Sequence, residues 1–290
     1  MPQSASKGRE LDTLHPIPPM NVNRSMRWFE RRSTYVASTS FIDTTRYHVE
    51  PIGQSQASRF IERHHYLRTM PACQLCVGLF GPRTSPTNTP LVGVAIFAVP
   101  TTPNVIIAHS GIEPSSGTTL SRFVLLDDVP GNAETHFLSR AFRTLRRSRP
   151  EIEAVVSYAD PNAGHIGHIY CAASAAHRGQ SKPRTLWSIG ATVIPGRTLT
   201  KIRKQERGHG PAIDRIVSLG AEPPSHGQTP AEWLASLPAT GIVTPIRHPG
   251  HYIYNFPLTR RAKARSRQLP SVPYPTMSSL PFHPSKGPDR

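Results

Sequence analysis

Two apolar runs of strand length place the strongest constraint on the fold of this chain. Gln74–Phe80 (QLCVGLF) and Leu91–Phe97 (LVGVAIF) are almost entirely apolar, and the loop between them is rich in proline and threonine. Apolar runs of this length, bounded by turn-forming residues, are typical of strands. The two runs therefore predict neighbouring strands joined by a long hairpin connection.

The remaining segments alternate between the patterns of helices and strands. Periodicity predicts helices at Gln54–His65, from the turn at Asp127–Asn132 to about Ser148, and from Gly164 to about Ala176. Further strands are predicted at Thr118–Leu126, Ala154–Tyr158, Trp187–Val193 and Tyr252–Phe256. This order predicts an α/β (α+β) fold with a mixed, mostly antiparallel sheet flanked by helices. It is compatible with the Gcn5-related acetyltransferase fold, although the same order serves many functions.

Composition divides the chain into three predicted regions. Residues 1–45 are polar and contain several prolines, so we expect an extended or disordered segment. Residues 46–258 hold the predicted elements and form the candidate catalytic domain. Residues 259–290 form a basic, proline-rich tail that opens with TRRAKARSR, either a solvated extension or a phosphate-binding arm.

The charge of the chain points to a polyanionic partner. It has 34 Lys and Arg against 18 Asp and Glu, a formal net charge of +16. Surface cations of this excess bind nucleic acid by releasing its counterions, and we favour double-stranded DNA over an anionic membrane or a merely biased composition. The 3 cysteines argue against a disulfide-built secreted domain. Without an apolar run of signal-peptide or membrane-spanning length, the chain is expected to be soluble and cytoplasmic.

Three residues with polar side chains lie at positions that call for a structural or a functional explanation. Arg122 lies inside an apolar strand, where it predicts either a core ion pair with Asp127, Asp128 or Asp160, or a donor fork for a carboxylate or phosphate. Asp160 follows a buried strand, at the strand end where ligands bind in open α/β sheets; the alternative is a helix cap. Tyr170, on the next predicted helix, is a candidate for the same cleft or a buried aromatic.

Histidine and cysteine pairs raise the question of a metal. His165 and His168 would share one face of the predicted helix and could bind a metal, although most histidines are not ligands. Cys73 and Cys76 lie on a predicted strand, where this spacing points the two side chains to opposite faces. The sequence shows no second cysteine pair at zinc-finger spacing, so we interpret the two thiols as structural.

If the DNA partner is also a substrate, the enzyme has to take the reacting base out of the stack, which needs a cationic rim and aromatic side chains. Tyr66 and Tyr158 are candidates for stacking. The cationic rim has many candidates, and the alternative interpretation is that they are simply solvated surface residues. They are Arg140, Arg143, Arg146, Arg147, Arg149, Arg178, Lys182, Arg184, Lys201, Arg203, Lys204 and Arg207.

Three segments resemble the Mom family of phage DNA adenine-modification proteins. The first is Glu62–Arg68 (ERHHYLR), and the third is Pro249–Tyr254 (PGHYIY) with Pro273-Tyr274-Pro275. The second and most specific runs from Leu120 to Thr135 (LSRFVLLDDVPGNAET) and on through Ser157–Pro161 (SYADP), Gly164–Gly167 (GHIG) and Ile169-Tyr170. The resemblance covers roughly residues 45–275 of the chain.

The resemblance implies a modified acetyltransferase fold that acts on DNA. Proteins of this family give adenine an N6 substituent of the methylcarbamoyl or acetamido type, which protects phage DNA from restriction. The family's essential positions correspond here to Arg122, Asp160 and Tyr170, and a further tyrosine to Tyr66. An iron ion is associated with the family, but the resemblance assigns no ligands to it in this chain.

The loop after the third predicted strand is the candidate cofactor site. Acyl-CoA enzymes of this fold bind pyrophosphate with helix N-terminal amides, in a Gln/Arg-x-x-Gly-x-Gly/Ala loop. This chain has Asp127–Thr135 there instead, with Gly131, Asn132 and Ala133 leading into the helix, and an ordinary turn explains them equally well. Acyl-CoA and iron are thus the cofactors considered, and the oligomeric state, a dimer included, stays open. The alternatives to DNA modification are an acyl-CoA-dependent N-acyltransferase acting on a small amine or a protein, and a non-catalytic basic DNA-binding protein.

Overall fold

The computed structural model describes residues 41–83, 85, 88–190 and 192–276. Most of the predicted N-terminal segment, residues 1–40, and the end of the predicted tail, residues 277–290, lie outside this range. The described residues form two compact units: residues 41–101 with 118–152, and residues 102–117 with 153–276. Throughout this range, no helix combines the length and the apolar character needed to cross a membrane.

Both units contain helices and strands. In chain order they are β1 (His48–Pro51), α1 (Gln54–His64), β2 (Cys73–Phe80), β3 (Leu91–Ala98), α2 (Asn104–Ser110), β4 (Gly117–Leu125), α3 (Ala133–Ser148), β5 (Ala154–Ala159), α4 (His168–Ala172), β6 (Ala176–Gln180), β7 (Arg184–Ile189), β8 (Thr192–Ile194), α5 (Gly196–Arg203), α6 (His209–Val217), α7 (Pro230–Ser236), β9 (Thr244–His248), β10 (Tyr252–Pro257) and α8 (Arg260–Arg267). Short 3-10 turns lie at Pro114–Ser116, Pro161–Ala163 and Leu237–Thr240.

The first unit is built on antiparallel strands in the order β1-β2-β3-β4. Helix α1 packs on β2 and β3 through Ala57, Phe60 and Ile61, which recur at helical spacing and share one face. On β4, Val124 belongs to that cluster, while its neighbour Phe123 stacks on Phe137 of α3. Successive strand residues point to opposite faces, so α1 and α3 cover the two faces of these strands. This double cover explains why β2 and β3 are apolar along nearly their whole length.

The second unit contains two groups of paired strands. Strand β10 is central in the first, with antiparallel partners β5 and β6. Buried polar groups link its helices, because the Asn255 amide accepts a hydrogen bond from Ser110 of α2 at 2.7 Å and donates one to Ser266 of α8 at 3.0 Å. The second sheet has the antiparallel order β8-β7-β9. Helices α5, α6 and α7 share with it a separate apolar cluster that includes Ile202, Ile216 and Trp233.

All these pairings are antiparallel, and helices lie against the strands. The prediction of a mixed α/β fold with a mostly antiparallel sheet flanked by helices is therefore confirmed. The strands and helices named at α1, β2, β3, β4, α3, β5 and β10 were also predicted from their patterns, with ends displaced by a residue or two. The prediction of a helix from Gly164 to about Ala176 was wrong.

The predicted helix is interrupted by left-handed residues. Gly164 and Gly167 have φ values of 76° and 79°, and Ser174 has a φ of 57°, so only His168–Ala172 is helical. Gly167 cannot carry a side chain, because a Cβ there would lie 2.4 Å from the Tyr254 ring. His165 lies before α4, and His165 and His168 therefore do not share the helical face that was predicted to bind a metal.

Two strand predictions also need correction. The predicted strand Trp187–Val193 is a hairpin of β7 and β8, because Gly190 turns the chain with a φ of 53°. In β2, the register shifts between Cys73 and Leu75, and the Cys73 and Cys76 side chains come into hydrogen-bonding contact instead of pointing to opposite faces. Burial, with the adjacent Cys73 thiol, raises the pKa of Cys76 to about 12. Both are free thiols.

Candidate functional site

Asp160 stands at the end of β5, as predicted, and it also caps the turn that follows. Its Oδ1 accepts the backbone N–H of Asn162 at 2.9 Å, which starts the 3-10 turn Pro161–Ala163. Capping occupies one oxygen only in part, since a carboxylate oxygen accepts more than one hydrogen bond. The structural interpretation of Asp160 thus leaves its second oxygen, Oδ2, for other contacts.

Two histidines from the end of β9 and the turn after it approach this carboxylate. His248 Nε2 lies 3.0 Å from Asp160 Oδ1, and His251 Nε2 lies 3.6 Å from Oδ2. The side chain of His248 is 2% exposed, that of Asp160 18% and that of His251 24%. The cluster therefore runs from a buried imidazole through a carboxylate to an imidazole that solvent reaches.

The electrostatics of the cluster keep Asp160 ionised. Burial by itself would raise the pKa of Asp160, but His251, His248 and the Asn162 amide together hold it well below its usual range. A carboxylate with so low a pKa is a weak base. Asp160 is accordingly suited to accept hydrogen bonds and to stabilise a neighbouring positive charge.

A third histidine lies behind the carboxylate. His165 is buried, and its backbone N–H donates to the Asp160 carbonyl at 2.9 Å. Burial lowers the pKa of His165 to about 4, although the negative charge of Asp160 opposes the shift. His165 is thus neutral at physiological pH.

Tyr170 lies on α4 in the core of the second unit. It is 5% exposed, and its ring packs against Tyr254 and Phe256 with centroid distances of 5.2 and 5.7 Å. Burial raises its pKa to about 12, and its hydroxyl forms a hydrogen bond with buried Ser157. These surroundings match the buried-aromatic alternative, and a catalytic role of Tyr170 stays a prediction.

Arg122 and Tyr66 lie in the first unit. The Arg122 guanidinium donates to the Thr69 carbonyl at 3.0 Å, to the Thr69 hydroxyl at 3.1 Å and to the Ser121 carbonyl at 2.7 Å. These partners are neutral oxygens rather than the carboxylates of a core ion pair. Burial lowers the pKa of Arg122, and nearby Tyr66 opposes that shift. Tyr66 is 37% exposed and stacks on His65 at 4.5 Å.

Backbone hydrogen bonding and backbone geometry fix the conformation of the candidate cofactor loop. The Gly131 carbonyl accepts the Ile42 amide at 2.9 Å, and Asn132 is left-handed with a φ of 64°. Ala133 is fully buried at the start of α3. Beside this loop a cavity of about 530 Å³ runs along α3, lined by Phe41, Ile42, Thr44, Asn132, Thr135, His136, Ser139, Arg140 and Arg143.

Several rim candidates have partners within the fold. Arg178, on β6, donates to the carbonyls of His109, Ser266, Leu269 and Pro270 at 2.7–3.0 Å. It therefore fastens α8 and the segment after it, instead of being available for a phosphate. Arg149 pairs with Glu151 at 2.9 Å.

Comparison with known families assigns the chain. The family described as the Mom protein family matches residues 46–276. The chain belongs to the Mom protein family. The matched region contains Asp160, His248 and His251, and membership confirms the resemblance on which the sequence analysis relied. Membership suggests phage DNA modification.

Other comparisons add little to this Mom protein. No curated protein matches its sequence. Among solved structures, it is similar to a malonyl-CoA decarboxylase from Rhodopseudomonas palustris, with 12% identity and a TM-score of 0.33. The match covers 77% of this chain, which spans 59% of the length of the decarboxylase. A likeness this weak bears on neither the fold nor the function of the Mom protein.

The iron associated with the family can be tested against the cluster. Two imidazoles and a carboxylate are the ligands of many non-haem iron sites, and the ligand atoms of Asp160, His248 and His251 lie within 4.8 Å of one another. A histidine that binds a metal donates its other ring N–H to an acceptor. His248 does the opposite, because its Nδ1 accepts the Gly250 amide N–H at 3.0 Å.

The proton of His248 is consequently on Nε2. A nitrogen that carries a proton has no lone pair for a metal, and this N–H donates to Asp160 instead. Burial lowers the pKa of His248, in keeping with a neutral ring. The cluster in this Mom protein does not fit a metal ion that uses His248 as a ligand.

Sequence reasoning identified Asp160 in this Mom protein and missed both of its histidine neighbours. His251 was part of the PGHYIY segment, but nothing in the chain's local pattern relates that segment to Asp160. The antiparallel pairing of β10 with β5 brings Tyr252 opposite Ala159 and so brings His251 to Asp160. A pairing between those two strands was the information that the sequence lacked.

Proposed function

We propose that this Mom protein is a DNA-modifying transferase that places a small N6 substituent, of the methylcarbamoyl or acetamido type, on adenine in DNA. The observation that carries the proposal is the family match over residues 46–276. The proposal includes an acetyltransferase-like fold, a cytoplasmic site of action and the protection of phage DNA from restriction.

The charge distribution supports duplex DNA as the substrate. The net charge is +16, and exposed cations line two described surfaces. Arg140 and Arg143 border the cavity along α3, and α8 exposes Arg260, Lys263, Arg265 and Arg267. Cations that contact phosphates release counterions, so binding to a duplex should weaken steeply as salt is raised. Binding that barely changes between low and moderate salt would contradict a phosphate-binding surface.

The proposed catalytic residues are Asp160, Tyr170, Arg122 and Tyr66, with Gly131, Asn132 and Ala133 at the donor. Asp160 has the strongest support, because its carboxylate is ionised, partly exposed and held by neighbouring hydrogen-bond donors. A carboxylate of this kind is able to bind the N–H of an exocyclic amine. The buried Tyr170 would act only through a rearrangement that exposes its hydroxyl.

The deciding experiment is nucleoside mass spectrometry of DNA from cells that express the protein. We expect part of the deoxyadenosine to appear as a heavier N6-modified nucleoside. Asp160→Asn should reduce that product by about a hundredfold or more, as for loss of a group needed in the chemical step. Asp214→Asn, a change of the same kind at an exposed position on α6, is the control. Unmodified nucleosides from cells that contain folded wild-type protein would overturn the proposal.

Tyr170→Phe separates the two interpretations of that residue. Loss of product with an unchanged thermal midpoint would assign the hydroxyl to catalysis. A structural hydroxyl predicts instead full activity and a loss of about 1 kcal/mol in stability, since Ser157 loses its partner.

A further inference from the structure

The turn that carries His251 is held rigidly. The backbone N–H of His251 donates to the Ser181 hydroxyl at 2.9 Å, and the Ser181 N–H donates to the His251 carbonyl at 2.9 Å. Gly250 before it has a φ of 100°, and a Cβ there would lie 1.9 Å from the Ser181 carbonyl oxygen. Only glycine fits, and its amide is the group that fixes the tautomer of His248. The same turn therefore places His251 and sets the donor that His248 presents to Asp160.

The orientation of the His251 ring defines which nitrogen is basic. Nε2 faces the Asp160 carboxylate, which only accepts hydrogen bonds, so the ring proton belongs on Nε2. Nδ1 then carries the lone pair. Arg184, an exposed cation on β7, has its Nη2 3.3 Å from Nδ1 and 3.4 Å from Nε2, and a guanidinium can only donate to the nitrogen that carries the lone pair. His251 thus presents a basic nitrogen that lies next to the exposed side chain of Arg184, and solvent reaches the His251 ring.

This arrangement resembles a histidine base whose ring is oriented by a carboxylate. In such pairs a carboxylate holds the imidazole in one tautomer and stabilises the imidazolium after proton transfer. Asp160 meets both requirements, because it stays ionised and its position is set by His248 and by the Asn162 amide. His248 cannot take the role of base, since its side chain is 2% exposed and a fixed backbone amide donates to its Nδ1, whereas His251 is 24% exposed and its donor is an exposed side chain.

We propose that His251 is the proton acceptor of the transfer reaction, that the Asp160 carboxylate also orients its imidazole ring, and that His248 is a positioning residue. The inference rests on the proposed function, since it names the base of that same reaction. It also gives the histidine cluster a role that needs no metal at His248.

The proposed step is a proton transfer coupled to substitution. The exocyclic amine of adenine attacks an electrophilic carbon of a donor that bears a leaving group. A nitrogen–carbon bond forms, and the bond from that carbon to the leaving group breaks, with its electron pair going to the leaving group. The proton lost by the amine goes to Nδ1 of His251, and the Asp160 carboxylate stabilises the imidazolium. The imidazolium then gives the proton to the departed group.

The test uses extracts that retain the small-molecule pool of the expressing cells, so that the donor is supplied. Extracts containing wild type, His251→Ala or the control His226→Ala, which changes an exposed loop histidine, are incubated with duplex DNA. Modified deoxyadenosine is measured with and without added imidazole. We expect His251→Ala to lose about a hundredfold or more of the rate, imidazole to restore part of it, and the control to match wild type.

Each outcome separates the inference from the proposed function. If wild type forms no modified nucleoside, the proposed function fails, and the inference fails with it. If wild type and His251→Ala modify DNA at equal rates, only the inference is overturned. It is overturned equally if imidazole restores nothing to a folded His251→Ala protein, or if purified wild type holds one transition-metal ion per chain that this variant loses. Partial rescue by imidazole that leaves the thermal midpoint of His251→Ala unchanged is the result that a merely structural histidine does not produce.

Discussion

His248 and Asp160 form a partly buried hydrogen bond in which the imidazole is the donor: Nε2 lies 3.0 Å from Oδ1, while the Gly250 amide N–H donates to Nδ1. The two residues come from the ends of strands that are far apart in the chain. Each stabilises the other's protonation state, since the ionised carboxylate needs a donor and the neutral ring has its N–H on the facing nitrogen. The energetic coupling of this pair is therefore the first quantity to measure.

A double-mutant cycle measures that coupling. Asp160→Asn, His248→Asn and the double variant should give a coupling energy of about 2 kcal/mol. Each single variant loses the hydrogen bond to the charged carboxylate, and the double variant loses that same bond only once. The measurement is urea unfolding of all four proteins. The pair Asp214→Asn and His226→Asn, both at exposed positions, is the matched control and should add within error. Additivity in the Asp160 and His248 cycle would contradict the hydrogen bond.

Two glycines with nearly equal backbone angles offer a matched test of packing. Gly164 and Gly167 have φ values of 76° and 79°, but a Cβ on Gly164 meets nothing within 4 Å, whereas one on Gly167 would lie 2.4 Å from the Tyr254 ring. Gly164→Ala should cost about 1 kcal/mol from the left-handed backbone alone. Gly167→Ala should cost about 3 kcal/mol or more, since the core must also move. Equal thermal midpoints for the two variants would show that Tyr254 does not close over Gly167.

Arg178 should prove to be a structural residue. Its guanidinium satisfies backbone carbonyls of α2, α8 and the segment after α8, and lysine has neither the reach nor the planar fork to do so. We expect Arg178→Lys to lower the free energy of unfolding by about 3 kcal/mol. Arg203→Lys, at the exposed end of α5, keeps the same change of side chain and should be nearly neutral. A fully stable Arg178→Lys protein with weakened DNA binding would instead assign Arg178 to the phosphate rim.

His165 should make the protein sensitive to acid. Its pKa is about 4 in the folded chain against 6.5 for the unperturbed group, so between those values the unfolded chain binds a proton that the folded chain does not. Stability therefore falls as pH falls through this window, by about 3 kcal/mol when the window has been crossed. His165→Asn should remove that part of the loss, and His226→Asn should not. Unfolding midpoints measured from neutral pH to about pH 4 decide the matter, and parallel curves for His165→Asn and wild type would contradict it.

Local patterns in the sequence determined most of the first unit. Helix α1 could be predicted because the burial of Ala57, Phe60 and Ile61 follows the helical repeat, and β2 and β3 because their apolar runs need no information beyond themselves. The position of Asp160 after a buried strand was likewise visible in the chain. Elements with short or mixed patterns, such as β1, β6 and β9, were not predicted, since a few half-exposed residues carry too little periodicity.

What the sequence determined by itself, then, was each element whose burial repeats at a helical or strand period, together with the family to which the chain belongs. Tertiary structure alone decided the break at Gly167, which is required by the Tyr254 ring packing against it from β10. It also decided the bulge that brings Cys73 to Cys76, and the meeting of Asp160 with His248 and His251. The physical reason is the same in each case. The free energy that selects the conformation comes from contacts with residues distant in the chain, and a local sequence pattern contains no information about those contacts.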